Sequence, residues 1–287
     1  MIFERYSDVK AFHRDVCELL SKDEPKNLVL LGDLAVGLLG EDSMGWRDAS
    51  KWVMASVKSG DKAVLAALMI PGGCNLQICA EKIDKEALTL LAREFKAAGI
   101  SVPCVSAECI LAEAFADVYS AVYSVNYSIA KRGRIYSLER INEGIPTDGY
   151  IRPAEPRDLA FLPYWWGGFF GESGVLESLD AYEKLISDEN LYILEDDGIP
   201  VSMARIDQEL ERVCGLGLIF TPPYFRNKGY ATKITASLTK QCLDTGYLPV
   251  LSTDLDNPVS NSIYQKIGYR PVCDTLEIDF RSEVGEK

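Results

Sequence analysis

The sequence is poor in histidine, in positive charge and in long apolar runs. His13 is the single histidine among 287 residues, so we expect neither a histidine-based catalytic triad nor a metal site built from several imidazoles. Basic residues number 30 against 43 acidic ones, which gives a net charge of -13. Because such a surface repels phosphate backbones and anionic headgroups, we expect the protein to bind neither nucleic acid nor membranes.

No apolar run has the length that a membrane span or a secretory leader requires. A span needs about 20 apolar residues, and residues 1–10 contain no apolar core of the kind that a signal peptide carries. The eight cysteines lie mostly in apolar runs, without a CxxC pattern or a neighbouring histidine. That context indicates small buried side chains and no zinc site. We therefore expect a cytoplasmic protein without a bound metal.

Length and composition fit two globular domains. The chain is about twice the usual domain length of roughly 100 to 150 residues, and its 47% hydrophobic and 25% charged residues are ordinary proportions. Gly, Pro, Asn and Asp cluster in residues 142–152, which predicts domains at 1–147 and 148–287. Residues 1–148 contain 17 basic and 21 acidic residues, and residues 149–287 contain 13 and 22. The second half is thus the more acidic and would favour a cationic partner.

The second half alternates strands and helices with short connections. Apolar periodicity and turn residues predict strands at 150–153, 191–194, 201–206, 212–220, 249–253 and 270–280, and helices at 155–166, 179–187, 227–243 and 257–267. Gly167 and Gly168 are expected to end the first of these helices. The predicted fold class is α/β with a mixed sheet.

The first half has a similar but less regular alternation of predicted strands and helices. It predicts strands at 28–31, 64–70, 77–80 and 134–141 and an amphipathic helix at 85–98. Both halves end in a strand-like segment. A diverged internal duplication with a period of about 140 residues would explain this likeness.

Residues 218–231 pass from a strand through a proline turn into a helix. Arg226 to Ala231 are expected to form the first helical turn, whose N–H groups lack intrahelical partners and whose dipole favours an anion. Gly229 would let the backbone approach a ligand, and Arg226 and Lys228 add positive charge. The residues alone leave two interpretations open, a phosphate site and an ordinary turn with solvated basic side chains.

Two segments of the second half resemble motifs of the GNAT superfamily of N-acetyltransferases. Arg226-x-x-Gly229-x-Ala231 resembles motif A, and residues 256–271, with an Asn, a helical Tyr and a closing Gly-aromatic pair, resemble motif B. The resemblance implies a GNAT-like fold for residues 148–287 and acetyl-CoA as the cofactor. Residues 1–147 contain no Arg-x-x-Gly-x-Gly pattern. If they form a diverged GNAT-like domain in tandem with the second, we expect it to be degenerate and non-catalytic.

The resemblance implies that acetyl-CoA binds along one strand and the turn that follows it. The pantetheine arm would lie along the strand, and the pyrophosphate would lie on the N–H groups of the next helix. Two asparagines of motif B would orient the arm or cap their own helix. The implied residues are Leu218, Ile219, Phe220, Thr221, Arg226, Asn227, Lys228, Gly229, Tyr230, Ala231, Thr232, Asn257 and Asn261.

Tyr264 matches the position at which many family members carry a tyrosine that reaches the CoA sulfur, so the resemblance implies that Tyr264 is the general acid. A buried core aromatic residue would fit the same position. Family members often place a Glu or His on the strand before motif A, but the matching position here is near Cys214. No general base is therefore assigned, although Asp207, Glu209 and Glu211 flank that strand and could act through water.

An aromatic cluster lies at the end of the first predicted helix of the second half. In the fold of the family this region covers the acceptor site, and aromatic faces beside an acidic residue would suit an amine or another cation. Packing against the first domain is the alternative. The cluster consists of Tyr164, Trp165, Trp166, Phe169, Phe170 and Glu172.

These features together predict an acetyl-CoA-dependent N-acetyltransferase that acts on an amine by direct transfer. The acceptor could be a small molecule, a protein lysine or an α-amino terminus. The alternative is a non-catalytic acyl-CoA-binding regulator or scaffold, which the unassigned base and the first half without a motif keep open.

Overall fold

The structure is a computed structural model that describes residues 1–39, 48–71, 75–171 and 179–281, with only the backbone for residues 181 and 207–209. The chain divides into two compact units. Unit 1 comprises Met1–Ile135, Asp254–Asp256 and Val272–Lys287, and unit 2 comprises Tyr136–Thr253 and Asn257–Pro271. None of the helices within the described residues is both long and apolar enough to cross a membrane.

The first half of the chain forms strands and helices in the order β, α, α, β, β, β, α, β, α, β. Its strands are β1 (Ile2–Tyr6), β2 (Val53–Ser59), β3 (Lys62–Met69), β4 (Asn75–Ala80), β5 (Cys104–Glu108) and β6 (Asn126–Ser137). Its helices are α1 (Val9–Leu20), α2 (Leu28–Leu39), α3 (Lys85–Ala97) and α4 (Cys109–Tyr123).

The second half repeats the same order, which confirms the sequence of elements predicted for it. Its strands are β7 (Tyr150–Pro153), β8 (Leu191–Asp196), β9 (Ile199–Glu209), β10 (Val213–Phe220), β11 (Leu248–Asp254) and β12 (Arg270–Arg281). Its helices are α5 (Leu162–Phe170), α6 (Leu179–Ser187), α7 (Tyr230–Asp244) and α8 (Pro258–Ile267). An identical order in both halves is what an internal duplication would leave.

Unit 1 has helices on both faces of a mixed sheet. Strands β1, β2, β3, β4, β5 and β12 are neighbours in that order, and the β4–β5 pair is parallel. Helices α1 and α2 cover one core, which contains Phe12 and Leu34, and α3 and α4 cover another, which contains Phe95 and Phe115. Strand β12 pairs through residues 275–279 with β5 and buries Ile278 in the second core. The last strand of the chain thus completes unit 1.

Unit 2 has the same layered arrangement. Strands β7, β8, β9, β10 and β11 are neighbours in that order, with β10 and β11 parallel. Helices α7 and α8 cover a core that contains Ile234 and Ile267, and α5 and α6 cover a core that contains Trp165 and Leu185. Because side chains alternate across each strand, both faces of the sheet are apolar.

The strand predicted at 28–31 is wrong, since these residues begin helix α2. A short apolar run fits a buried strand and a buried helix equally well. The buried residues Leu30, Leu34 and Gly37 recur at helical spacing, so tertiary packing selects the helix. The periodicity also gave no prediction for α1 or α4, although Asp8 provides α1 with a regular N-cap.

The helix end predicted at Gly167 and Gly168 is also wrong, because α5 continues through both glycines to Phe170. The helix itself begins at Leu162, after a short 3-10 turn at residues 156–160. A Cβ at Gly168 would lie 2.6 Å from Cζ of Phe220. The glycine is therefore required for the close packing of α5 on β10, not for a turn.

Helix α7 begins at Tyr230 and not at residue 227 as predicted. Asn227 and Gly229 have left-handed backbone conformations, with φ of 64° and 84°. Helical hydrogen bonding cannot continue through alternating left-handed residues, so residues 226–229 form a turn before the helix.

Candidate functional site

Most of the predicted cofactor residues lie at the carboxyl end of β10 and in the turn and helix that follow it. The parallel register between β10 and β11 joins residues 213–216 to residues 248–251, whereas β10 continues to Phe220. Leu218 has φ of 51°, and the register with β9 shifts between Gly217 and Phe220. Such a bulge turns the backbone and leaves peptide groups outside the ladder. An extended ligand could pair with these groups.

A buried serine and an arginine hold the turn after β10 in place. Ser202 on β9 is fully buried, and its hydroxyl donates to the carbonyl of Phe220 at 2.9 Å and lies 2.9 Å from the Thr221 hydroxyl. Arg226 Nε donates to the Thr221 carbonyl at 3.0 Å. Together these bonds fix the path from β10 into the turn. The role of Ser202 is not predicted by any motif of the sequence.

The N-terminus of α7 presents backbone donors that no described side chain satisfies. The first intrahelical bond runs from Lys233 N to Gly229 O at 2.9 Å, and no side chain of the described residues caps the helix. In contrast, Asp8, Asp84 and Asn257 cap α1, α3 and α8. The N–H groups of residues 230–232 are therefore available, and the helix dipole makes them favourable to an anion.

The space in front of these donors is open and lined by positive charge. Apart from Gly229 itself and its two chain neighbours, no heavy atom of the described residues lies within 4 Å of the place that a Cβ on Gly229 would take. Arg226, Asn227 and Lys228 are exposed, and Lys228 Nζ lies 5.9 Å from the centroid of the Phe225 ring. This set of groups fits a diphosphate. Gly229 is required by its positive φ, and the open space would let an anion reach the backbone.

Tyr230 can bind an anion through its backbone N–H, but its hydroxyl is already hydrogen-bonded. Its hydroxyl donates to a carboxylate oxygen of Asp196, and this bond raises the pKa of Tyr230. Asp196 lies at the end of β8, before the hairpin turn into β9. The contact ties the start of α7 to the β8–β9 hairpin.

Tyr264 lies in the core of unit 2 with 6% of its surface exposed. Its ring centroid is 6.3 Å from that of Tyr136 and 6.1 Å from that of Tyr269. Burial raises the pKa of Tyr264 to about 12, while a hydrogen bond with Ser260 opposes the shift. The phenol is therefore protonated throughout the neutral range. The surroundings are those of a core aromatic residue that keeps a polar end.

The two asparagines of motif B have separate partners. Asn257 Oδ1 accepts from Ser260 N at 3.1 Å, which confirms Asn257 as the cap of α8. Asn261 Nδ2 donates to the Asn257 carbonyl at 2.8 Å, and Asn261 Oδ1 accepts from the Tyr136 hydroxyl at 3.0 Å. Both side chains stabilise the first turn of α8, the helix that carries Tyr264.

The aromatic cluster divides into core and surface residues. Trp165 is buried against Phe161, with ring centroids 4.4 Å apart, whereas Tyr164 is 80% exposed. Trp166 is half-buried and lies 4.9 Å from the ring of Phe170. Phe169 and Phe170 expose 42% and 47% of their surfaces. Glu172, predicted as part of the cluster, lies outside the described residues.

None of the candidate general bases can be assigned that role among the described residues. Cys214, near the position where family members often carry one, is fully buried and faces Cys242 of α7, with Cα atoms 6.4 Å apart. Cys214 and Cys242 are both buried, as predicted for the cysteines. Glu211 is exposed in the turn before β10. The side chains of Asp207 and Glu209 lie outside the described part of the chain.

The corresponding place in unit 1 has a different chemistry. The parallel register of β4 and β5 covers residues 75–77 and 104–106, and α3 follows β4 as α7 follows β10. However, the Asp84 carboxylate accepts from Glu86 N at 2.9 Å and Ala87 N at 3.3 Å. A carboxylate therefore occupies the donors that an anion would need, and it would repel one.

Comparisons with known proteins agree with the motifs. Residues 206–277 match the family described as FR47-like protein. No curated protein matches the chain. A GNAT-family acetyltransferase from Colwellia psychrerythraea is similar in structure at 14% identity, with a TM-score of 0.58 and coverage of 99% of this chain and 100% of the other.

Two further solved structures resemble the chain over most of its length. A GCN5-related N-acetyltransferase from Sphaerobacter thermophilus is 12% identical, with a TM-score of 0.62 and coverage of 96% of this chain and 94% of the other. A tandem GNAT protein from the clavulanic acid biosynthesis pathway is 11% identical, with a TM-score of 0.57 and coverage of 100% of both chains. The chain therefore has a GNAT-like fold.

The family match covers β10, α7, β11, α8 and much of β12, which are the elements that carry motifs A and B. Together with the structural likeness, it agrees with the GNAT-like fold of the chain.

Proposed function

We propose that this protein is an acetyl-CoA-dependent N-acetyltransferase whose chemistry takes place in unit 2, at the end of β10. The observation that carries the proposal is the uncapped N-terminus of α7, with open space at Gly229 and exposed basic side chains before it. In the proposed domain arrangement residues 148–287 form the transferase domain, although its last strand β12 pairs with β5 of unit 1. Residues 1–147 form a degenerate GNAT-like domain without a cofactor, because Asp84 caps the helix that corresponds to α7.

The residues of the chain fit the parts of a coenzyme A thioester. Bound acetyl-CoA would supply an acyl group activated as a thioester. The N–H groups of residues 230–232 and the side chains of Arg226 and Lys228 would hold its diphosphate. The bulged backbone at residues 218–220 would pair with the pantetheine amides. Binding by backbone groups orients the acyl group without requiring any covalent bond to the protein.

Tyr264, the expected general acid, would donate a hydrogen bond to the departing thiolate sulfur. A phenol with a pKa of about 12 stays protonated at neutral pH. Complete transfer to a thiolate of ordinary pKa near 8.5 would be unfavourable by about 3 to 4 units. Tyr264 would therefore act chiefly as a hydrogen-bond donor. The proton that the thiolate finally takes up would come from the amine nitrogen, which becomes positively charged when it bonds to the acyl carbon.

The acceptor would be a primary amine, free or part of a peptide. Tyr164, Phe169 and Phe170 expose aromatic surface on α5, which packs on the end of β10 through Gly168. Such faces attract a cationic amine, in keeping with the acidic second half of the sequence. A neutral amine is the reactive form, and water could accept its proton, since the described residues offer no assigned base.

Thioester turnover tests this proposal. The full-length protein is incubated with acetyl-CoA and a panel of polyamines, aminoglycosides, amino acids and peptides, and free thiol is measured. We expect turnover with at least one amine and a loss of about 10²- to 10³-fold in Tyr264→Phe. Tyr269→Phe is the matched control, since Tyr269 is also buried and bonds Thr239 at 2.7 Å.

Binding of acetyl-CoA without transfer to any amine would instead favour the non-catalytic regulator or scaffold. Equal turnover in Tyr264→Phe and the unmodified protein would remove the proposed role of Tyr264 while leaving the transferase intact.

A further inference from the structure

The outer surface of α3 and α4 in unit 1 contains a groove that has no role in the proposed acyl transfer. Its volume is about 570 Å³, and its walls are the facing stripes of the two packed helices. The α3 wall contributes Lys85, Thr89, Arg93 and Lys96. The α4 wall contributes Ala114, Asp117, Val118, Ala121 and Val122.

The α3 wall is a basic stripe. Lys85, Arg93 and Lys96 recur at spacings close to the helical repeat, so they lie on one side of α3 over about 16 Å. All three are exposed. The chain as a whole is acidic, with 43 acidic residues and 30 basic ones. The groove is locally basic, because three cations line one wall and a single carboxylate lies on the other.

The cations of this stripe have no carboxylate partners among the described residues. Two other exposed lysines of unit 1 form ion pairs, Lys22 with Glu81 at 2.5 Å and Lys62 with Glu18 at 2.7 Å. Lys96 Nζ instead donates to the Val122 carbonyl at 2.5 Å and lies 5.5 Å from the Tyr123 ring centroid. One end of the stripe is thus held in position without being neutralised.

The α4 wall is made of small apolar side chains with one negative charge. Ala114, Val118 and Ala121 keep this wall low, which is what creates the groove. Asp117 accepts from the Tyr127 hydroxyl at 2.6 Å and is therefore fixed among them. A fixed carboxylate would repel a uniform polyanion such as RNA, whereas a protein segment can place an apolar or basic residue opposite it.

We propose that this groove docks an acidic amphipathic helix of a partner protein. Its glutamates and aspartates would face Lys85, Arg93 and Lys96, and its aliphatic side chains would lie on the alanines and valines of α4. A groove of three helical turns between two helices matches the helix-in-groove mode of recognition. Charge complementarity commits the occupant to an acidic segment. The proposal does not depend on acyl transfer.

The test uses the full-length protein and a fluorescent synthetic peptide of about 14 residues, with leucine along one face and glutamate on its flanks. Anisotropy titrations compare this peptide with the version that has lysine at every glutamate, and with an oligouridylate. We expect micromolar binding of the acidic peptide only, weakening as salt rises. Hydrogen exchange should show added protection in α3 and α4.

The double variant Lys85→Glu and Arg93→Glu should weaken peptide binding by about tenfold or more. Lys10→Glu is the matched control, because Lys10 is an exposed lysine of α1, which covers the other core of unit 1. All three side chains are exposed, so the variants should unfold like the unmodified protein. Absence of peptide binding, equal binding by the double variant, or stronger binding of the oligouridylate through the same residues would overturn the proposal.

Discussion

Replacing Gly168 by alanine tests the close packing of α5 on β10. The new Cβ would lie 2.6 Å from Cζ of Phe220 and 3.3 and 3.4 Å from its two Cε atoms. Phe220 is 8% exposed and also faces Trp165, with ring centroids 6.4 Å apart. The ring has little room to move, so overpacking should cost about 1 to 3 kcal/mol. Alanine gains about 1 kcal/mol over glycine in a helix, which offsets part of this cost.

The two effects separate when Phe220 is shortened. In the Phe220→Leu background the ring is gone, so Gly168→Ala should change from destabilising to stabilising by about 1 kcal/mol. Urea denaturation followed by tryptophan fluorescence measures all four proteins, because Trp165 and Trp166 lie in α5. If Gly168→Ala has the same effect in both backgrounds, or raises the stability of the unmodified protein, the close approach of α5 to Phe220 is not present.

The remaining predictions concern the last strand and the buried tyrosine. Ile278→Ala should destabilise unit 1 by about 2 to 5 kcal/mol in urea denaturation, because the side chain is fully buried beside β5. The control is Glu277→Ala, on the half-exposed face of the same strand, which should cost under about 1 kcal/mol. Equal losses of stability in the two variants would contradict the pairing of β12 with β5. The pKa of Tyr264 is raised to about 12 by burial, so its neutral form is favoured in the fold, and the stability this provides is present below about pH 10 and lost between about pH 10 and 12. Between about pH 10 and 12, the free energy of unfolding of Tyr264→Phe should therefore fall by up to about 3 kcal/mol less than that of the unmodified protein. Equal falls in the two proteins would show that the phenol is not buried.

The sequence predicts the second half well because glycines and prolines mark its short connections. The first half fails at residues 28–31, where an apolar run supports a strand or a helix until burial of Leu34 and Gly37 decides. At the site, the sequence identifies the junction between β10 and α7, but residues 226–229, predicted as helical, form a turn because Asn227 and Gly229 are left-handed. Asparagine tolerates this conformation without requiring it.

Other parts of the site depend on residues that are far apart in the sequence. Ser202 reaches the Phe220 carbonyl only because β9 and β10 pair in a shifted register. Tyr230 meets Asp196 through the β8–β9 hairpin. For the contact of Ser202 with Phe220, the sequence offers one indication, which is a serine within an apolar strand. A buried hydroxyl group there needs a hydrogen-bond partner.

The central claim is that an anionic cofactor binds at the N-terminus of α7, and calorimetric titration with acetyl-CoA tests it most directly. Gly229 and Gly99 both have positive φ, and a Cβ on either would meet no atom of the described residues within 4 Å, so leucine should strain both backbones equally, by about 1 to 2 kcal/mol. We predict micromolar binding by the unmodified protein, a loss of at least about tenfold in Gly229→Leu, and unchanged affinity in Gly99→Leu. No binding by the unmodified protein, or equal affinity in Gly229→Leu, would contradict the account.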